Sequence, residues 1–164
     1  MRIKTSMPLT LAEKIVDGAL AAGRAEDMHP LTVVVLNAGG HIVASKSEDG
    51  SGILRFDVAR GKAWGALGMG VSSRLIRDRL SKRPVFQNAL AAASDGRFVP
   101  VPGGVLVLDD DGSTIGAVGI SGDSSEKDEY CAIQGARAAS LATEPAEPDP
   151  DWRGTSLSDI DEDN

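Results

Sequence analysis

LTVVVLNAGGHIVA, residues 31–44, is the stretch that decides the fold. Leu31 to Asn37 is an almost unbroken run of β-branched and aliphatic side chains with no polar alternation, so it predicts a strand buried on both faces of a covered sheet. Ala38-Gly39-Gly40 supplies the positive φ angles of a tight hairpin, and residues 41–46 form the returning strand. A second hairpin follows the same logic. Residues 105–108 and 114–121 read as strands joined by the turn Asp109-Asp110-Asp111-Gly112, with the constrained segment VPVPGG (99–104) leading into them.

Helical patterns fill the spaces between the hairpins. Thr10 and Glu13 have capping-box spacing ahead of the stripe Leu11, Ile15, Ala19, which predicts a helix over 11–26 that Pro30 prevents from continuing. Residues 56–67 recur at helical spacing until Gly68-Met69-Gly70 breaks them. Ser72 or Ser73 caps a second helix with Leu75, Ile76 and Leu80 inside. Pro84 opens a third helix through Ala93. Ser124 and Ser125 are candidate caps for a last helix to about Leu141, whose small face (Ala132, Gly135, Ala136, Ala139) allows close packing on the sheet. The order helix, hairpin, helices, hairpin, helix implies an α+β domain, an antiparallel sheet with helices packed on it. From 143 the composition turns to Pro, Asp, Glu and Ser. Residues 1–142 are therefore read as the folded domain and 143–164 as an acidic tail, either mobile or an extended arm.

The chain of 164 residues fits one domain, and its 41% hydrophobic content supports a core without disulfides. With aromatics at 4%, that core is filled by Val, Leu, Ile and Ala. The net charge of −7 is confined to the tail, which from Thr143 holds eight acids and one base, leaving a neutral body. Such a balance gives no electrostatic footprint for nucleic acid. Cys131 is the one cysteine, so a disulfide within the chain is impossible and a cysteine-based metal site improbable. No run approaches the roughly 20 apolar residues of a membrane span, and the N-terminal stretch lacks a signal-peptide core. These features point to the cytoplasm and to no membrane partner.

Four landmarks carry a resemblance. They are VVVLNAGGHIVA (33–44), the pair Lys62-Ala63, VPGGV (101–105) and GAVGISGDSSEKDEYCA (116–132). In this order, across roughly residues 9–141, they resemble the GlcG/HbpS-like, so-called haem-degrading, family. The resemblance implies a profilin-like fold, a five-stranded antiparallel sheet with helices on both faces. It also implies self-association into dimers and often octamers, a small-molecule ligand, and haem as a cofactor.

Several residues are candidates for chemistry. His41, just after a glycine turn, is a haem ligand, another metal's ligand or an acid–base group, or else an imidazole that merely hydrogen-bonds. His29, the other imidazole, is a second candidate haem ligand in an exposed connector. Lys62, in a small and apolar helix, is either an ammonium for a ligand carboxylate or a solvated side chain covering apolar surface. Pro102, Gly103 and Gly104 either present bare backbone amides to an anion or form a turn that only glycine makes. By resemblance to iron-binding haem sensors, Asp123, Glu126 and Glu129 are candidate metal ligands one helical turn apart, although acids there also suit the helix dipole. Arg74, Arg77, Arg79, Lys82 and Arg83 form a basic cluster that pairs with the tail or a neighbouring subunit, or is simply solvated.

Three functions compete. The first is a ligand-binding oligomer with haem as the ligand. The second is an enzyme on a small carboxylated or carbonyl metabolite, using Lys62, the amides at 103–104 and His41 as proton carrier; the scarcity of aromatics favours its small polar pocket. The third is a structural subunit in which Trp152 anchors the C-terminal arm on a neighbour.

Overall fold

In the computed structural model, which describes residues 3–157, both hairpins join one sheet. The elements run α1 (Leu9–Ala25), β1 (Thr32–Asn37), β2 (Ile42–Ser47), α2 (Leu54–Met69), α3 (Ser73–Leu80), α4 (Pro84–Ala93), β3 (Gly104–Leu108), β4 (Thr114–Ser121), α5 (Ser125–Ala138) and β5 (Ala142–Glu144). The strand order is β2-β1-β4-β3-β5, antiparallel throughout. Gly119 of β4 lies level with Val34 on one side and Gly104 on the other, while Asn37 pairs with Gly116 further along.

The two-sided apolar character of β1 has a direct structural cause. Val33 and Val35, with Val105, Val107, Val118 and Ile120, form one core with α1 and α5. Val34 and Leu36, with Leu106 and Ala117, form the other with α2. Each central strand thus buries both sets of alternating side chains, and helices cover both faces, as the sequence implied. Helix α2 lies so close that a Cβ on Gly119 would stand 1.9 Å from the Ala59 carbonyl oxygen. Only glycine fits that approach.

Some local expectations are corrected. Helix α1 begins at Leu9 with Pro8 as its cap, and no side-chain capping bond forms, so the Thr10–Glu13 box is not used. The Pro8 carbonyl accepts from the Leu11 and Ala12 amides instead, which places Thr10 inside the first turn. By contrast, the Ser72 hydroxyl accepts from the Leu75 amide as expected (3.4 Å). Helix α5 stops at Ala138, short of 141, and Ser140 at φ 59° turns the chain back.

The fifth strand comes from where the tail was expected to start. Residues 142–144 pair with β3, and the following segment lies along the body. Arg74 donates to the Glu147 carbonyl (2.9 Å) and Arg137 to the Ala146 carbonyl (2.9 Å). Trp152, 6% exposed, stacks on Tyr130 of its own chain at 3.8 Å between ring centres, not on a neighbour. The acids Asp159, Asp161, Glu162 and Asp163 lie outside the described residues. Trp152→Ala is expected to loosen this arm by about 2 kcal/mol while leaving the sheet intact. Limited proteolysis checks it: cleavage confined to residues after 144 is the expected pattern.

Candidate functional site

Lys62 is the first surprise. From α2 it points into the protein interior, 2% exposed, and its Nζ donates to Asp128 Oδ2 at 2.8 Å; Asp128 is 1% exposed. Asp128 Oδ1 accepts the Asp123 amide (3.1 Å), so this one carboxylate ties α2 to the start of α5. Burial pushes the Asp128 carboxyl up, and the neighbouring ammonium of Lys62 pulls it back down. Both readings of Lys62 thus need correction. It is not solvated, and the carboxylate it meets is the protein's own.

The 102–104 loop packs against the same pair. A Cβ on Gly103 (φ 112°) would lie 2.9 Å from the Lys62 ammonium, and one on Gly104 would lie 2.3 Å from the Lys62 carbonyl oxygen. The Gly104 amide donates to Ser73 Oγ (2.7 Å), and the Gly103 carbonyl accepts from Ile120 (3.0 Å). Pro102, Gly103 and Gly104 are buried. The structure therefore brings Lys62 and the glycine loop together, but it turns them toward each other and toward Asp128.

His41 is elsewhere. It is exposed in the β1–β2 turn, beyond the Asn37 end of β1, whereas Gly104 lies level with Val34. Its amide donates to Asn37 Oδ1 (3.1 Å). His29 sits past the opposite end of β1, exposed, with its amide on Asp123 Oδ2 (2.9 Å). The six residues of β1 hold the two imidazoles roughly 20 Å apart, which rules out a shared metal between them. With its proton carrier at the far end of the strands, the small-metabolite site does not assemble.

The three candidate metal ligands also face separate partners. Asp123 accepts from the amides of His29 and Ser124 and pairs with Lys127 (3.4 Å); these interactions hold its carboxyl below the usual range against the opposing effect of burial. Glu126 pairs with Arg77 (2.9 Å). Glu129 is 0% exposed, with Arg74 Nε 3.4 Å away and neither oxygen at hydrogen-bonding geometry. Desolvation lifts its carboxyl to about 7, against the pull of Arg74. Among the described residues, no group of three or more His, Cys, Asp or Glu side chains converges to hold a metal. The basic cluster divides likewise: Arg74 serves Glu129 and the C-terminal arm, and Arg77 serves Asp78 and Glu126.

What His41 adjoins is an apolar shelf. One hollow of about 180 Å³ lies between the 38–40 turn and Trp64, Leu67 and Gly68 of α2. A second, of about 170 Å³, lies on the other side of Trp64, against Met69, Leu90, Ala93 and Phe98. Trp64 and Gly68 are common to both. Helix α4, which forms the outer wall, has no buried residue, and it leaves Val85 and Phe86 exposed. The sequence pointed to neither Trp64 nor Phe98 beyond the general scarcity of aromatics. The available signal was the run of small residues at 61, 65 and 68, which lets other chain segments lie against α2.

Among the described residues, no helix is long and apolar enough to cross a membrane. A search of curated proteins finds no significant match. Among solved structures, the fold is similar to PduOC in complex with haem, at 24% identity and TM-score 0.74, covering 82% of this chain and 96% of that one. It is also similar to a double mutant of Streptomyces reticuli HbpS, at 24% identity and TM-score 0.70, covering 84% and 89%. A third is the Klebsiella pneumoniae protein ORFY, at 21% identity and TM-score 0.74, covering 85% and 94%. At these identities the likeness speaks for a shared fold. A family model described as haem degrading protein HbpS-like matches residues 7–137, most of the chain, and the protein therefore belongs to the HbpS-like family.

Proposed function

We propose that this chain binds haem on the shelf around Trp64, with His41 as the residue that would ligate its iron. The supporting observation is an exposed histidine at the rim of an apolar surface, beside the turn that lines one of its hollows. A flat apolar macrocycle with a central metal is held by an apolar surface and a side-chain donor able to reach the metal, and an imidazole is such a donor. Bound haem would supply redox-active iron. The chain's own part is to bed the ring and offer the ligand.

Each hollow alone is smaller than the about 300–1,000 Å³ typical of ligand sites. A second copy closing over the shelf would enlarge it, and Met69 (40% exposed), Phe86 (45%) and Val85 (83%) offer that copy an apolar face. We therefore place the protein in a homo-oligomer, a dimer or an octamer built from dimers. A cytoplasmic location accords with its lone thiol, Cys131, being buried against Met28.

Hemin titration should sharpen the Soret band, and His41→Ala should weaken binding about tenfold or more. His29→Ala should leave it unchanged. No spectral change on adding hemin, or equal affinity with His41→Ala, overturns the assignment. Light scattering on the eluted protein tests the assembly, and a monomer at micromolar concentration contradicts it.

A further inference from the structure

A polar hollow lies beside the shelf, across Arg97 from Trp64, and we infer that it receives the carboxylates of the bound ligand through Arg60 and Arg97. The inference rests on the haem reading above and assigns the polar end of the same site. The hollow, about 210 Å³, is lined by Asp57, Arg60, Gly61, Asp95, Gly96 and Arg97. Its two walls are those of the apolar hollow extended. On α2, Gly61 precedes Gly65 by one turn, and on the facing segment, residues 95–97 lie between Ser94 and Phe98. A Cβ on Gly61 would stand 2.9 Å from the Arg97 carbonyl oxygen, so the two walls touch between the hollows, and Arg97, which lines the polar hollow and lies over Trp64 of the apolar one, links them.

The two guanidiniums are arranged for an incoming oxygen. Arg97 lies over the Trp64 ring, 4.5 Å from its centre, and its Nε donates to the Ser94 carbonyl (2.9 Å). Stacking and that single bond fix the plane of the group; among the described residues, no hydrogen bond engages its terminal nitrogens. Arg60 Nε is buried with no acceptor. A buried donor without a partner is costly, and a carboxylate oxygen would satisfy it. Asp57 and Asp95 line the same hollow, and among the described residues neither lies in an ion pair with either arginine. They leave the hollow electrically balanced. Recognition then comes from directed N–H donors, which suits the forked guanidinium better than a point charge. A ligand with an apolar ring and carboxylates at one edge fits these adjacent hollows: ring against Trp64, carboxylates at Arg60 and Arg97.

Hemin and its dimethyl ester, which lacks the free carboxylates, separate the possibilities. The wild-type protein should bind hemin about tenfold more tightly than the ester. An Arg60→Gln/Arg97→Gln double variant should lose that preference while keeping its affinity for the ester, with unchanged circular dichroism showing that it folds. Should the double variant fail to fold, Arg97→Lys should still lose part of the preference, because it keeps the charge and loses the fork. His41→Ala should weaken both ligands alike and keep the preference. Equal binding of the two ligands by the wild type, or a preference retained in the arginine variants, overturns the carboxylate assignment and leaves the haem reading standing. Failure of both ligands to bind the wild type overturns both.

Discussion

Lys62→Ala is expected to lower the free energy of unfolding by about 3–5 kcal/mol, among the largest effects of any single substitution in this chain. Lys62 and Asp128 are 2% and 1% exposed, so the pair has exchanged water for each other and for one backbone amide. Removing the ammonium strands a carboxylate in the interior, where an uncompensated charge costs far more than the intact pair contributes. The variant can relieve this by taking up a proton at Asp128, so its deficit should shrink toward acid pH. Replacing both partners with apolar residues, as in Lys62→Met/Asp128→Leu, should recover much of the loss. Urea unfolding of the three proteins at pH 7 measures it. A single variant as stable as the wild type would mean that the ion pair does not hold α2 to α5.

Glu129 sets the second expectation, a loss of stability on going from acid to neutral pH. Its carboxyl titrates at about 7 in the folded protein against an ordinary 4.5, because burial outweighs the attraction of Arg74. The folded state therefore holds this proton more tightly than the unfolded state does. That contribution is complete below pH 4.5 and disappears as pH rises through 7, amounting to about 3 kcal/mol across the window. Glu129→Gln keeps the shape without the ionisation. It should be more stable than the wild type at pH 8 and similar to it at pH 4.5. Subtracting the two pH profiles isolates the group from every other titration. Arg74, Arg77 and Asp149 are the charges that act on it, and Arg74 also holds the arm through the Glu147 carbonyl. A difference profile that stays flat between pH 4.5 and 8 would show Glu129 ionised throughout.

The sheet was readable because one of its inner strands, β1, cannot be anything else. Val33, Val34 and Val35 demand cover on both sides, and the glycine turn at 39–40 sends the chain back alongside. The fifth strand was hidden because Ala142–Glu144 is short, not uniformly apolar and followed by Pro145. Its partner β3 selects it, not its own pattern. The capping box failed because Pro8 begins the helix two residues early. For the site, His41 was visible as an isolated imidazole beside glycines. Lys62 was visible only as an oddity, since its partner Asp128 lies 66 residues away and looked like one of several acids opening a helix. Arg97 could not be linked to Trp64 at all. That pairing depends on the 97–99 segment lying on the glycine face of α2, which only the folded chain shows.

The position of β5 also orders events during synthesis. Strand β3 is hydrophobic along its length, and until residues 142–144 emerge from the ribosome its outer backbone groups have no partner. A nascent chain therefore carries a bare, valine-rich edge of the kind that recruits strands from other molecules. Emergence of those residues closes it, and the Trp152 clasp then keeps the closing strand from peeling away.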